Sequence, residues 1–134
     1  MSECERPNEP AQGDSNEAWA KYFKELAEYV ECSEQESGGT YTGICNDISA
    51  LSSAASTTRS KLNLVSIPPT PLPLTPNGSL AGLTTQMVAV ASDAAAQDLS
   101  TQAGQTKAYQ DCTWAMDWLK PASKSGTLAQ LAGC

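Results

Sequence analysis

A chain of 134 residues with 40% hydrophobic residues and a formal net charge of −7 fits one domain with a modest core. No run approaches the roughly 20 apolar residues of a membrane span, and there is no cluster of Lys and Arg of the kind that nucleic acids require. Histidine is absent, which removes the commonest general base and most zinc patterns.

The charge is unevenly placed. Residues 1 to 38 carry ten acids and three bases, whereas the remainder carries five of each. The first 13 residues are polar, include Pro7, Pro10 and Gly13, and offer little to bury, so they read as a disordered acidic arm. The N-terminus as given has neither a basic n-region nor an apolar h-region. The expected location is therefore the cytoplasm or an assembled particle.

Asp14 with Glu17 resembles a capping box, with Ser15 as the alternative cap. Trp19, Phe23, Leu26 and Val30 then recur at spacings of three and four, with Tyr22 and Tyr29 broadening the stripe, which predicts a helix over 15–34. Its opposite face carries Glu17, Lys21, Lys24, Glu25, Glu28 and Glu31. Glu31, Glu34 and Glu36 oppose the helix dipole, so this end should fray.

Ser37-Gly38-Gly39-Thr40 breaks the pattern. From Tyr41, the positions Ile44, Ile48, Leu51, Ala55, Thr58, Leu62 and Val65 continue a seam of alternating threes and fours. The short connection predicts an antiparallel helical hairpin. Residues 66–78 follow with five prolines, an extended strap of roughly 40 Å at about 3.1 Å per residue. That length returns the chain to the start of the bundle, so a third helix can run parallel to the second. Leu72 and Leu74 suit packing on the bundle.

Asn77-Gly78-Ser79 matches a glycosylation sequon in form, but a turn with Ser79 as N-cap is the better reading. The following stretch to Lys120 lacks proline and predicts a long helix, with a possible break near Gly104, which marks either a bend or a close crossing. The fold class is all-α: an antiparallel hairpin plus a long third helix, making a three- or four-helix bundle with a Pro-rich strap. The domain spans 14–120, and 121–134 forms a tail with a possible short turn at 125–131.

Chemistry is sparse. No phosphate-binding loop and no nucleophile beside a base can be found, so no enzyme activity, cofactor or metal is expected. Of the five cysteines, Cys32 and Cys45 lie near the end of one helix and the start of the next, and form a candidate disulfide; the others read as reduced thiols. Between Gly39 and Thr106 only five residues are charged. Such a small-residue, Gln-rich surface suggests contact with other protein, either further copies or a partner. Gln86, Asp93, Gln97, Gln102 and Gln105 are the candidate interface residues; Trp114 and Trp118 either pack in the core against Trp19 and Phe23, the better reading, or serve as interface anchors.

The segment from Leu80 to Leu99, with its Ala-Ala-Ala-Gln-Asp step and then Gln102 and Gln105, resembles the small-residue helix of R-body (Reb-type) proteins. The resemblance covers about 30 residues, including a Pro-then-Gly lead into the helix. It implies a subunit of a coiled, extensible protein ribbon assembled in the bacterial cytoplasm. Two functions follow from the whole reading: a structural, self-assembling helical subunit, or a small acidic binding module (inhibitor, immunity protein or adaptor) for a basic protein partner.

Overall fold

A computed structural model describes residues 4–62, 72, 74–117 and 134, the side chains of residues 116 and 117 excepted. Val65, four strap prolines (Pro68, Pro69, Pro71 and Pro73), Trp118 and the 125–131 turn lie outside the described residues. Among the described residues there are four helices, α1 (Asn16–Ser37), α2 (Tyr41–Lys61), α3 (Leu80–Ala95) and α4 (Gln102–Asp117), and no strand.

Each of the first three helices starts at a hydroxyl cap. Ser15, rather than Asp14, accepts from the Ala18 N–H at 3.2 Å, Thr40 accepts from Gly43 at 3.0 Å, and Ser79 accepts from Gly82 at 3.1 Å. Asp14 is engaged elsewhere, accepting from the Ala11 N–H at 2.8 Å. The apolar stripe of α1 is buried as its spacing implies, with Trp19, Phe23 and Val30 wholly enclosed. On α2 the buried seam is Ile44, Ile48, Leu51, Ala55 and Thr58, while Tyr41 and Leu62 sit at its half-buried ends.

The helices pack as a square. α1 lies beside α2 and α3, α4 lies beside α2 and α3, and α1 and α4 stand diagonally opposite. The α1–α2 turn meets the first turn of α3, where the Gly39 N–H donates to Thr84 Oγ1 at 3.1 Å. α3 therefore starts at the end of the bundle where α2 starts, and the two run parallel. This requires the long crossover that the strap supplies. The strap's last part is tied down at both sides: Trp114 Nε1 donates to the Leu74 carbonyl at 2.9 Å, and Gln86 bonds the Thr75 carbonyl and the Asn77 N–H, both at 2.8 Å. Leu72 packs against the core, whereas the Leu74 side chain is exposed.

The stretch after Ser79 is two helices, broken near Gly104 as the sequence allows, with the break itself at 96–101. At the end of α3 the Ala96 N–H is shared between the Ser92 and Asp93 carbonyls, and Gln97 bonds back to Ala94 and Asp93. Asp98 then accepts from both the N–H and hydroxyl of Ser100, and Thr101 caps α4 through the Gly104 N–H at 3.0 Å. Short polar side chains that bond locally compete with the helix, which is why it ends here. Leu99 keeps the helical period but is buried as a loop anchor. Gly104 sits inside the first turn of α4, where an added Cβ would overlap the Asp98 carbonyl oxygen. It permits a close approach and does not itself bend the chain.

Candidate protein-binding face

Residues 4–13 do not form a disordered arm. They lie along the groove between α1 and α2, because one covalent bond and several polar contacts offset the ordering cost that their composition alone could not. Cys4 is bonded to Cys32 at the end of α1, with Cα atoms 5.7 Å apart. Arg6 donates to the Asn46 carbonyl at 3.4 Å and places its guanidinium 5.7 Å from the Tyr29 ring centroid. Farther along, Ser53 Oγ donates to Glu9 at 3.4 Å, Pro10 is buried, and Lys61 Nζ donates to the Pro10 carbonyl at 2.9 Å. The face of α2 that carries Asn46 and Ser53, part of the charge-poor stretch that suggested contact with another protein, is in part the bed of this arm.

Laying the arm down brings its carboxylates to those of α1. Glu5, Glu9 and Asp14 of the arm line one open cleft of about 470 Å³ with Glu25 of α1, and Arg6 and Lys21 stand among them. Tyr22 forms part of the wall, and burial, reinforced by nearby acidic groups, pushes its phenol up so that it stays neutral. Glu17, Glu28, Glu31 and Glu36 are exposed farther along α1. At the far end, partial burial and then the neighbouring Glu31 raise the Glu34 carboxyl above its usual range.

Two more carboxyls are enclosed. Asp47, on α2, is 1% exposed, and burial pushes it up to about 7; the Ser33 hydroxyl and Arg6 oppose the rise, and Glu34 adds to it. Asp111, on α4, is equally enclosed and is also pushed to about 7, first by burial and then by sharing a proton with Asp93. Lys107 bridges the pair, 2.6 Å from Asp93 Oδ2 and 2.9 Å from Asp111 Oδ1. Burial thus raises the Asp111 carboxyl, whereas the half-buried Asp93 is held below its usual range, first by its hydrogen bond to Asp111 and then by that to Lys107.

The residues singled out as an interface are largely spent within the bundle. Gln86 ties the strap, Gln97 closes α3, Gln105 donates to the Leu99 carbonyl at 2.9 Å, and Asp93 pairs with Lys107. Trp114 is a core residue, and Gln102 is exposed. Many of the small residues, among them Ala54, Ala55, Ala91, Ala94 and Ala108, are buried between helices of the same chain.

The expected Cys32–Cys45 bridge is not formed. Cys32 pairs with Cys4, and Cys45 with Cys134, because each has a partner brought in from a chain terminus. The reduced-thiol reading fails with it, except at Cys112, which is buried and whose thiol is pushed up by that burial. Cys4, Cys32 and Glu36 have converging ligand atoms, but sulfurs joined to one another offer no thiolate to a metal. No family model, curated protein or solved structure matches the chain.

Proposed function

We propose that this chain is a small disulfide-stapled helical binding module that docks a basic protein segment on the acidic face formed by its arm and α1. The convergence of Glu5, Glu9, Asp14 and Glu25 on one open cleft carries this reading. Solvated carboxylates held on a rigid scaffold give on-rate and specificity to a cationic partner, with attraction that salt screens. The reading is of a non-catalytic protein without a nucleic-acid partner, in keeping with a buried Cys112 thiol and a sequence lacking histidine. No helix among the described residues is long and apolar enough to cross a membrane. Two disulfides favour work in an oxidising compartment rather than the cytoplasm.

Fluorescence anisotropy with a labelled Lys/Arg-rich peptide tests the proposal. Binding should be measurable at low salt, weaken steeply as salt shortens the Debye length from about 10 Å at 0.1 M to about 3 Å at 1 M, and drop in the triple variant Glu5→Gln, Glu9→Gln, Glu25→Gln. Absence of binding at low salt, or equal affinity in the variant, counts against it.

Self-assembly is the second reading, favoured by one observation. The outward face of α3, with Ala81, Thr85, Ala89, Ser92 and Ala96, is exposed and uncharged. A ribbon-type subunit of the kind the R-body resemblance implies would use this face. Sedimentation of a discrete monomer at tens of micromolar, unmoved by pH and salt, would remove that reading.

A further inference from the structure

The arm lies on the bundle, with Cys4 packed against the core and Pro10 buried. Its described contacts are the Cys4–Cys32 bond, the Arg6 contacts to Asn46 and Tyr29, and the polar contacts at Glu9 and Pro10. Below it a gap of about 180 Å³ remains, with Arg6, Pro7 and Glu9 on one side and Tyr22, Leu26 and Ala50 among the residues on the other. Trp19, Phe23, Ile48 and Leu51 lie in the core of the bundle. Both bridged sulfurs belong to half-buried residues, within reach of a small reductant.

The arm is joined to α1 by an exposed turn at 11–14. This turn is closed by the Asp14 N–H donating to the Ala11 carbonyl at 3.1 Å and by the Ala11 N–H donating to Asp14 Oδ2 at 2.8 Å. Gly13 holds φ +90°, a left-handed conformation natural to glycine. Straightening this turn sends the arm outward, away from its own groove. Every contact named above joins the arm to α1 or α2, so a second copy of the chain can make the same set with no new complementarity.

We propose that residues 4–10 are an exchangeable latch, and that the α1–α2 groove accepts the arm of a second copy once Cys4–Cys32 has been opened and reclosed. The inference does not depend on the acidic-face reading. A dithiol opens the bond by giving two electrons and two protons to the Cys4 and Cys32 sulfurs, itself becoming a cyclic disulfide. A low-molecular-weight disulfide then closes Cys4 of one copy on Cys32 of the other, accepting two electrons and two protons and leaving as two thiols. The product is a two-fold dimer in which each groove is completed by its partner's arm.

The test uses the full chain, prepared with natural and heavy nitrogen and mixed in equal amounts. The mixture is reduced with dithiothreitol and reoxidised with oxidised glutathione at low micromolar and at near-millimolar protein, and disulfide-linked peptides are then mapped by mass spectrometry. At high concentration the dimer fraction should yield Cys4–Cys32 peptides of which about half carry both labels, as random pairing in a closed two-fold exchange requires. Cys45–Cys134 peptides should keep a single label, and low concentration should give single-label Cys4–Cys32. Gly13→Val, which disfavours the closed turn, should raise the fraction of protein recovered as exchanged dimer several-fold at the lower concentration. Single-label Cys4–Cys32 at all concentrations, equal mixing of both bridges, Cys4 and Cys32 capped by glutathione, or no rise in the Gly13→Val variant would overturn the proposal.

Discussion

Gly104→Ala sets local helix preference against tertiary packing, and the two give opposite signs. In an uninterrupted helix the change gains about 1 kcal/mol. Here Gly104 is buried in the first turn of α4, and the new Cβ would overlap the Asp98 carbonyl oxygen. That oxygen accepts from the Thr101 N–H at 3.3 Å and from the Thr101 hydroxyl at 3.0 Å. Moving it disturbs Thr101, whose side chain caps α4. Overpacking costs about 1–3 kcal/mol, and a weakened cap adds about 1 kcal/mol. After the helix gain is subtracted, the variant should be less stable by about 1–3 kcal/mol, or roughly 4–12 °C in Tm for a domain of this size. Thermal unfolding followed by circular dichroism under non-reducing conditions reads this directly. A Tm equal to or above that of the parent would refute the break at 96–101 and restore a continuous helix.

The buried carboxyls give a pH dependence of definite sign. Asp47 and Asp111 titrate near 7 when folded but near 3.9 when unfolded, so across that interval the folded state holds more protons, and stability falls as pH rises from about 4 to about 7. Tm should therefore be higher at about pH 5 than at about pH 8, and Asp47→Asn should flatten the profile; a Tm that rises with pH over this range would contradict the enclosed carboxyls. Gln86→Ala removes both bonds that tie the strap to α3. It should cost about 1–2 kcal/mol and speed proteolysis near Leu74, whereas unchanged cleavage would show that the strap is held by other contacts.

Much of the fold was readable from side-chain spacing. The threes and fours through Trp19, Phe23 and Leu26, and through Ile44, Ile48 and Leu51, report burial on one helical face, and Ser79 reports a cap. α3 runs parallel to α2, as the length of the connection between them allows, though most of that connection lies outside the described residues. Gly104 marked the neighbourhood of the break, but its place at 96–101 was hidden because Leu99 stays in helical phase while Asp98, Ser100 and Thr101 act through local side-chain bonds, which periodicity does not register.

The candidate face was harder to read. Its carboxylates were evident as an acidic N-terminal quarter, but the arm is held by residues far along the chain, Cys32, Asn46, Ser53 and Lys61. Cysteine connectivity does not follow from order along the chain. Gln86 and Gln105 looked available to a partner because their acceptors are backbone carbonyls of loops, whose positions only the fold defines.

Non-reducing peptide mapping with free-thiol labelling tests most directly whether the acidic arm is fastened to α1. Links Cys4–Cys32 and Cys45–Cys134, with Cys112 alone labelled after denaturation, are expected. A Cys32–Cys45 link, or Cys4 and Cys32 both labelled in the native protein, would detach the arm and remove the cleft on which the proposed function rests.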